Sequence, residues 1–253
     1  SLYEGTQQPG DIGSDDPIIS RLQILKPYTS SIRTFSSLNE HARIVKIAKD
    51  IGFNTLVGAW LSDDLDSNDK EIEGLVELAN NNLVDVAAVG NEVIYRKELE
   101  EDQLISYINY FKDNTSNIPV GYVDAYYEFR DRPNITNACD VILANCYPFW
   151  EGCAAEYSLL YMKDMYNEAI KASGGKKVII TETGWPSEGS DLWGAHPSYT
   201  NYLKYFINAQ LWSKDQNIDM FYFSSFDESW KVEAEGDVGA YWGLWDKDEI
   251  IKF

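Results

Sequence analysis

Short apolar, β-branched runs alternate with longer stretches whose apolar positions recur every three to four residues. That is the pattern of repeated βα units feeding a parallel sheet. Strands are predicted at 31–35, 55–60, 84–89, 120–123, 141–145, 178–181 and 220–223. Between them Ile44, Ile47 and Ala48, then Leu75, Leu78 and Ala79, then Leu104, Ile105, Ile108 and Phe111, and finally Tyr202, Tyr205, Phe206 and Ala209 mark helix faces turned to the sheet. A further helix is expected over 17–25. The strand that should precede it has only residues 1–3 available, which suggests that residues are missing at the amino end. Gly174-Gly175 reads as a helix stop ahead of the 178–181 strand. The expected fold is α/β, a compact (β/α)8 TIM barrel with a truncated first strand, and residues 1–253 are read as one catalytic domain because such barrels reach this length around a single core.

Composition narrows the classes of partner. The 253 residues are 44% hydrophobic and 14% aromatic, and no apolar run of eighteen residues occurs, so no membrane-spanning helix is expected. With 41 acidic and 21 basic residues the formal charge is −20, which repels nucleic acid and anionic lipid and favours a neutral partner. Eight Trp, seventeen Tyr and ten Phe could furnish apolar faces for sugar rings, although most aromatics in any globular chain fill its core. Cys139, Cys146 and Cys153 form neither a metal spacing nor an even disulfide framework, leaving one bridge and a free thiol, or three thiols, both open. Asn114-Thr115-Ser116 and Asn134-Ile135-Thr136 match the glycosylation acceptor pattern, which matters in an exported chain. Residues 1–5 show no signal peptide, as in an exported chain already processed.

In a parallel barrel, chemistry gathers just beyond the carboxyl ends of the strands. The 84–89 strand runs into Gly90-Asn91-Glu92-Val93, and the 178–181 strand into Glu182-Thr183-Gly184-Trp185-Pro186. Both glutamates follow apolar strands, where a desolvated carboxylate is costly and usually kept for function. Cleaving a glycosidic bond needs two carboxyl groups, one to protonate the leaving oxygen and one to attack the sugar centre. Strand-end Asp63, Asp64, Asp124 and Asp227 raise the rival reading of a metal-dependent barrel. It is disfavoured because Glu92 and Glu182 come with Asn91 and Trp185 rather than with further carboxylates, so neither metal nor cofactor is expected. A barrel that binds glucan without catalysis is the other rival, and both glutamates argue against it.

Gly90-Asn91-Glu92-Val93 and Thr181-Glu182-Thr183-Gly184-Trp185-Pro186-Ser187 resemble the two catalytic signatures of glycoside hydrolase family 17. The similarity extends to Ile32-Arg33-Thr34, Tyr147-Pro148-Phe149-Trp150 and Phe226-Asp227-Glu228-Ser229-Trp230-Lys231, and so spans nearly the whole chain. It departs from the family in its clipped start and short loops. The resemblance implies a retaining β-1,3-glucan-active enzyme, with Glu92 as acid/base, Glu182 as nucleophile and their carboxyl groups roughly 5–5.5 Å apart. It further implies that Asn91 binds the hydroxyl beside the reacting carbon, that Tyr147 holds the nucleophile, and that Glu228 and Lys231 line the donor side. Arg33 could also hold the nucleophile or be a buried ion-pair partner, and Trp185 could be a sugar platform or a lid over the core, the former favoured. Tyr95, Trp150 and Glu151 fall on loops of the expected catalytic face, where they could hold an incoming glucose. Those contacts and the compact loops favour glucanosyl transfer over hydrolysis, with β-1,3-glucan or laminari-oligosaccharide as partner. A monomer, secreted to the extracellular space or cell wall, is expected.

Overall fold

Seven of the predicted apolar runs are strands in a computed structural model that describes residues 2–3, 7–11 and 13–253. They are β1 (Ser31–Thr34), β2 (Asn54–Ala59), β3 (Val86–Asn91), β4 (Val120–Ala125), β5 (Ile142–Asn145), β6 (Val178–Thr183) and β7 (Met220–Tyr222), ordered in the sheet as in the chain. Every pairing from β1 to β5, and that of β6 with β7, is parallel. The helices are α1 (Asp16–Leu25), α2 (Asn39–Ile51), α3 (Leu65–Asn80), α4 (Glu101–Asn114), α5 (Glu128–Asp131), α6 (Pro133–Ala138), α7 (Ser158–Ala172), α8 (Tyr199–Gln216) and α9 (Val232–Glu235). Three of these, α5, α6 and α9, went unpredicted, and of α7 only the end was read, at Gly174-Gly175. The amino-terminal strand expected at 1–3 is not formed at Leu2 or Tyr3; Ser1 lies outside the described residues. Both are buried instead, Tyr3 meeting the Trp230 ring edge-on at 6.1 Å. No helix among the described residues is long and apolar enough to cross a membrane.

The chain forms two compact units: Ile18–Asn145 with Tyr166–Ile179, and Ser1–Pro17 with Cys146–Met165 and Ile180–Phe253. In the first, the β1–β5 unit, Leu56, Val57, Ala87, Val89, Val120 and Val123 of the strands are buried, as are Val45, Leu75, Ile108 and Phe111 of the helices. Full burial of one such large aliphatic or aromatic side chain is worth about 1.5–3 kcal/mol, so these positions supply the main driving force of the unit. Helix limits follow local chemistry. Asp64 caps α3 by accepting from Ser67 N, and Glu100 with Gln103 forms a capping box ahead of α4. The parallel register of β3 and β4 shifts between Ala88 and Asn91, just ahead of Glu92.

In the second, the β6–β7 unit, the carboxyl half of β6 is wholly buried and α8 packs Tyr202, Tyr205 and Ala209 inward. The Tyr205 hydroxyl is hydrogen-bonded to Thr183 Oγ1, and it also lies 3.1 Å from Met162 Sδ. Gly184 follows β6 so closely against its neighbour that a methyl group there would stand 2.1 Å from Phe223 O. Phe149, Trp185 and Trp242 form the aromatic centre of the unit, with ring centroids 5.3 and 5.5 Å from Phe149 to the two indoles. Trp185 is 0% exposed and donates its indole N–H to His196 O. The expectation that it is a sugar platform is therefore corrected: it is a core residue with no face open to a ligand. All three cysteines are thiols, with Cys139 and Cys146 buried and Cys153 part-exposed.

Candidate functional site

In the β1–β5 unit, β3 delivers Asn91 and Glu92 through a backbone that turns sharply. Gly90 and Glu92 both have positive φ, +83° and +52°, and Glu92 N donates to Val123 O at 2.7 Å. A glutamate in the left-handed region is uncommon and marks a position held by its surroundings. The Glu92 carboxylate accepts from Asn145 Nδ2 at 2.8 Å, at the carboxyl end of β5. Arg33, from β1, donates to Asn91 Oδ1 at 2.5 Å and stacks over the Phe35 ring. Beyond the strand, Arg96 donates to Asn91 O and ion-pairs with Glu98, pinning the turn.

Asp124, on β4, is fully buried beneath this turn. It accepts from the Tyr122 hydroxyl and from Tyr95 N, while the same hydroxyl accepts from Ile94 N. Burial pushes the Asp124 carboxyl up to about 7 against the Tyr122 and Ala125 hydrogen bonds, with the charges of Glu92 and Glu128 adding to the rise. Tyr95 itself is 58% exposed.

In the β6–β7 unit, Glu182 is 8% exposed, and its Oε2 accepts from the Tyr147 hydroxyl at 3.0 Å. The Tyr147 ring is held edge-on by Phe223 and Trp242. Glu228 and Lys231 are buried and paired at 2.9 Å. Trp230 Nε1 donates to Glu228, and Lys231 Nζ sits 3.8 Å from the centroid of the Phe223 ring. Lys231 also reaches Glu235 at 4.0 Å. Burial raises the Glu235 carboxyl to about 7; Lys231 opposes that rise, and Glu228 and Glu182 add to it. Trp150 leans on Trp242 and is 38% exposed, while Glu151 accepts from the Tyr161 hydroxyl at 3.1 Å.

Among the described residues no three His, Cys, Asp or Glu side chains gather as a metal site would. Three of the four aspartates of the metal reading are engaged separately: Asp64 in a helix cap, Asp124 with Tyr122, and Asp227 with Lys252 at 2.8 Å.

A model of the BtgE/BtgC glycoside hydrolase domain matches residues 2–243. The chain belongs to this family. Membership makes it an enzyme of the glycoside hydrolase class, and the family 17 resemblance of its motifs stands. It is 27% identical over 258 aligned residues to a glucan 1,3-beta-glucosidase of Candida albicans, covering 92% of this chain and 83% of that protein. A putative glucan endo-1,3-beta-glucosidase of Aspergillus niger is 26% identical, with 94% of this chain and 40% of that protein aligned. Among solved structures, a glycoside hydrolase family 17 beta-1,3-glucanosyltransferase from Rhizomucor miehei superposes with a TM-score of 0.89 at 30% identity, over 99% of this chain and 94% of that one. The fold is thus the TIM barrel of that family, as expected. An endo-laminarinase from Formosa, 19% identical with a TM-score of 0.82, shares the fold.

For this BtgE/BtgC member, the sequence reading set Tyr147 on Glu182 and put Glu228 and Lys231 together on the donor side, but it named the nucleophile or an ion pair for Arg33 rather than Asn91, and it did not see what holds Glu92. Asn145 does so, and it ends an apolar strand just as Asn91 does, a signal that was available. Asp124, Arg96 and Glu235 were not singled out as parts of the site; only their surroundings distinguish them from ordinary charged residues near strand ends and turns.

Proposed function

We propose that the chain is a retaining β-1,3-glucan-active glycosidase that works by double displacement and favours transfer to a sugar acceptor over hydrolysis. Glu182 attacks the anomeric carbon as Glu92 gives its proton to the departing glycosidic oxygen, forming a glycosyl ester on Glu182. Glu92, now a carboxylate, takes the proton of an incoming sugar hydroxyl, whose oxygen displaces Glu182 and restores both groups. Asn91, steadied by Arg33, binds the hydroxyl next to the reacting carbon, an interaction that strengthens as charge develops. Tyr147 positions Glu182, and the Glu228–Lys231 pair orients donor hydroxyls. Tyr95, Trp150 and Glu151 receive the acceptor, sugar faces resting on the rings. Residues 1–253 act as one catalytic domain, as a monomer, outside the cell or in its wall, without metal or cofactor.

The observation that carries this reading is Glu182 itself, a nearly buried carboxylate at the end of a strand with a tyrosine hydroxyl donating to it. The relatives' names supply the substrate class. Incubation with laminaripentaose should yield products longer than the substrate. Only shorter products, even at high substrate concentration, would make the chain an endo-β-1,3-glucanase. Glu182→Ala should abolish turnover and, with azide added, form a glycosyl azide of inverted configuration; turnover surviving in that variant would remove the assigned nucleophile.

A further inference from the structure

We infer that Trp193 is a second aromatic platform for a glucan chain, continuing the acceptor side beyond Trp150. The inference rests on the proposed acceptor role of Trp150 and Glu151. Trp193 is 79% exposed, more than any other large hydrophobic side chain among the described residues. It is not a loose surface residue. Leu192 and Ala195 exchange two backbone hydrogen bonds of 2.9 Å, closing a two-residue turn with Trp193 at its first central position. Its φ is +52°, in the region that suits glycine and penalises an aromatic. A tryptophan kept where glycine would be easier, with most of its surface in water, is a strained position that points to use.

The turn is joined to the loop that carries Trp150 and Glu151. Gly194 N donates to Gly152 O at 3.1 Å, and a methyl group on Gly152 would lie 2.5 Å from Trp193 Cε3. The indole therefore rests on bare glycine backbone, two residues along from Trp150. Gly152 has a φ of +67°, so its conformation and the space it leaves both call for glycine. This fixes two exposed indoles in one neighbourhood, with Glu151 next to Trp150 in the chain and anchored by Tyr161. Asp191 and Glu156 are exposed close by in sequence, and the chain carries −20, so an anionic ligand is disfavoured. A flat, neutral partner with an apolar face is what such a surface takes, and successive glucose rings of an acceptor supply that face.

The test compares wild type with Trp193→Ala, Trp193→Gly and Trp193→Tyr, using laminaripentaose as donor and laminari-acceptors of increasing length tagged at the reducing end. Loss of one stacking contact should raise the acceptor KM roughly three- to tenfold in Trp193→Ala and Trp193→Gly for long acceptors only, with laminaribiose and kcat unchanged. Trp193→Tyr should keep most of the long-acceptor advantage. Trp193→Gly should match or exceed the wild-type Tm because it relieves the left-handed backbone. Equal KM at all lengths, a loss shared by short acceptors, or a fall in Tm with Trp193→Gly would overturn the platform. Calorimetric binding of laminarihexaose separates the two readings. Turnover with hexaose binding indifferent to Trp193 removes the platform alone, whereas Trp193-dependent binding without any turnover keeps it and removes the proposed chemistry.

Discussion

A neutral donor reaches each carboxylate of the proposed pair, and that choice has consequences at single residues. Asn145 donates to Glu92 without adding charge, so it aims the group. Asn145→Ala should lower kcat on laminari-oligosaccharides about tenfold, the usual order for a hydrogen bond to an ionisable group. An aryl glucoside whose leaving group needs no protonation should suffer far less, and an equal loss on both substrates would assign Asn145 to some other step. Tyr147→Phe should cost about ten- to a hundredfold in kcat with little change in KM, since it removes a donor from Glu182 rather than a contact to sugar. These partners were unequally legible. Tyr147 came through a motif, but the pairing of Asn145 with Glu92 joins residues 53 apart that local sequence does not link. Trp185 misled because an indole next to a strand-end glutamate suits either a core or a sugar, and only burial decides.

At the scale of elements, apolar runs marked where strands lie to within a residue or two, because a strand buried on both faces reads as a nearly continuous hydrophobic stretch. Ends were harder to read. β3 and β6 run two residues further than the apolar pattern, taking in Asn91 and Thr183, since the ladder continues past the last hydrophobic side chain. Of helix α7 only the stop at Gly174-Gly175 was read, although the helix spans fifteen residues. The approach of Gly184 to Phe223 O shows how tightly β6 and β7 are fitted where Glu182 emerges. Gly184→Ala should push the strands apart, lowering Tm by several degrees and activity by more than an order of magnitude, in keeping with about 1–3 kcal/mol for overpacking. Full activity in a folded Gly184→Ala protein would mean that the strand end yields without moving Glu182.

At the scale of the molecule, charge and buried carboxyls act in the same direction with pH. Asp124 and Glu235, with ordinary values of 3.8 and 4.5, are each raised to about 7 by burial. Between those limits the folded chain keeps protons that the unfolded chain has lost, so stability present at low pH is lost as pH rises through about 4 to 7. Self-repulsion of a chain carrying −20 grows over the same range. Tm should therefore be higher at pH 5 than at pH 8 by roughly 3 °C or more. Asp124→Asn and Glu235→Gln, which carry no titrating proton, should flatten the profile; a profile unchanged in both would leave surface charge as its whole cause.

The unequal burial of the three thiols makes the protein its own labelling scaffold. Cys139 and Cys146 are shut in, and burial holds the Cys139 thiol up at about 11, while Cys153 alone is part-exposed, next to the loop that carries Trp150. A maleimide dye should attach once per native molecule, at Cys153, with no engineered cysteine and no removal of the others; mass spectrometry of a digest would read the position. Its emission would then report on whatever settles over the neighbouring indoles, giving a direct optical view of acceptor arrival.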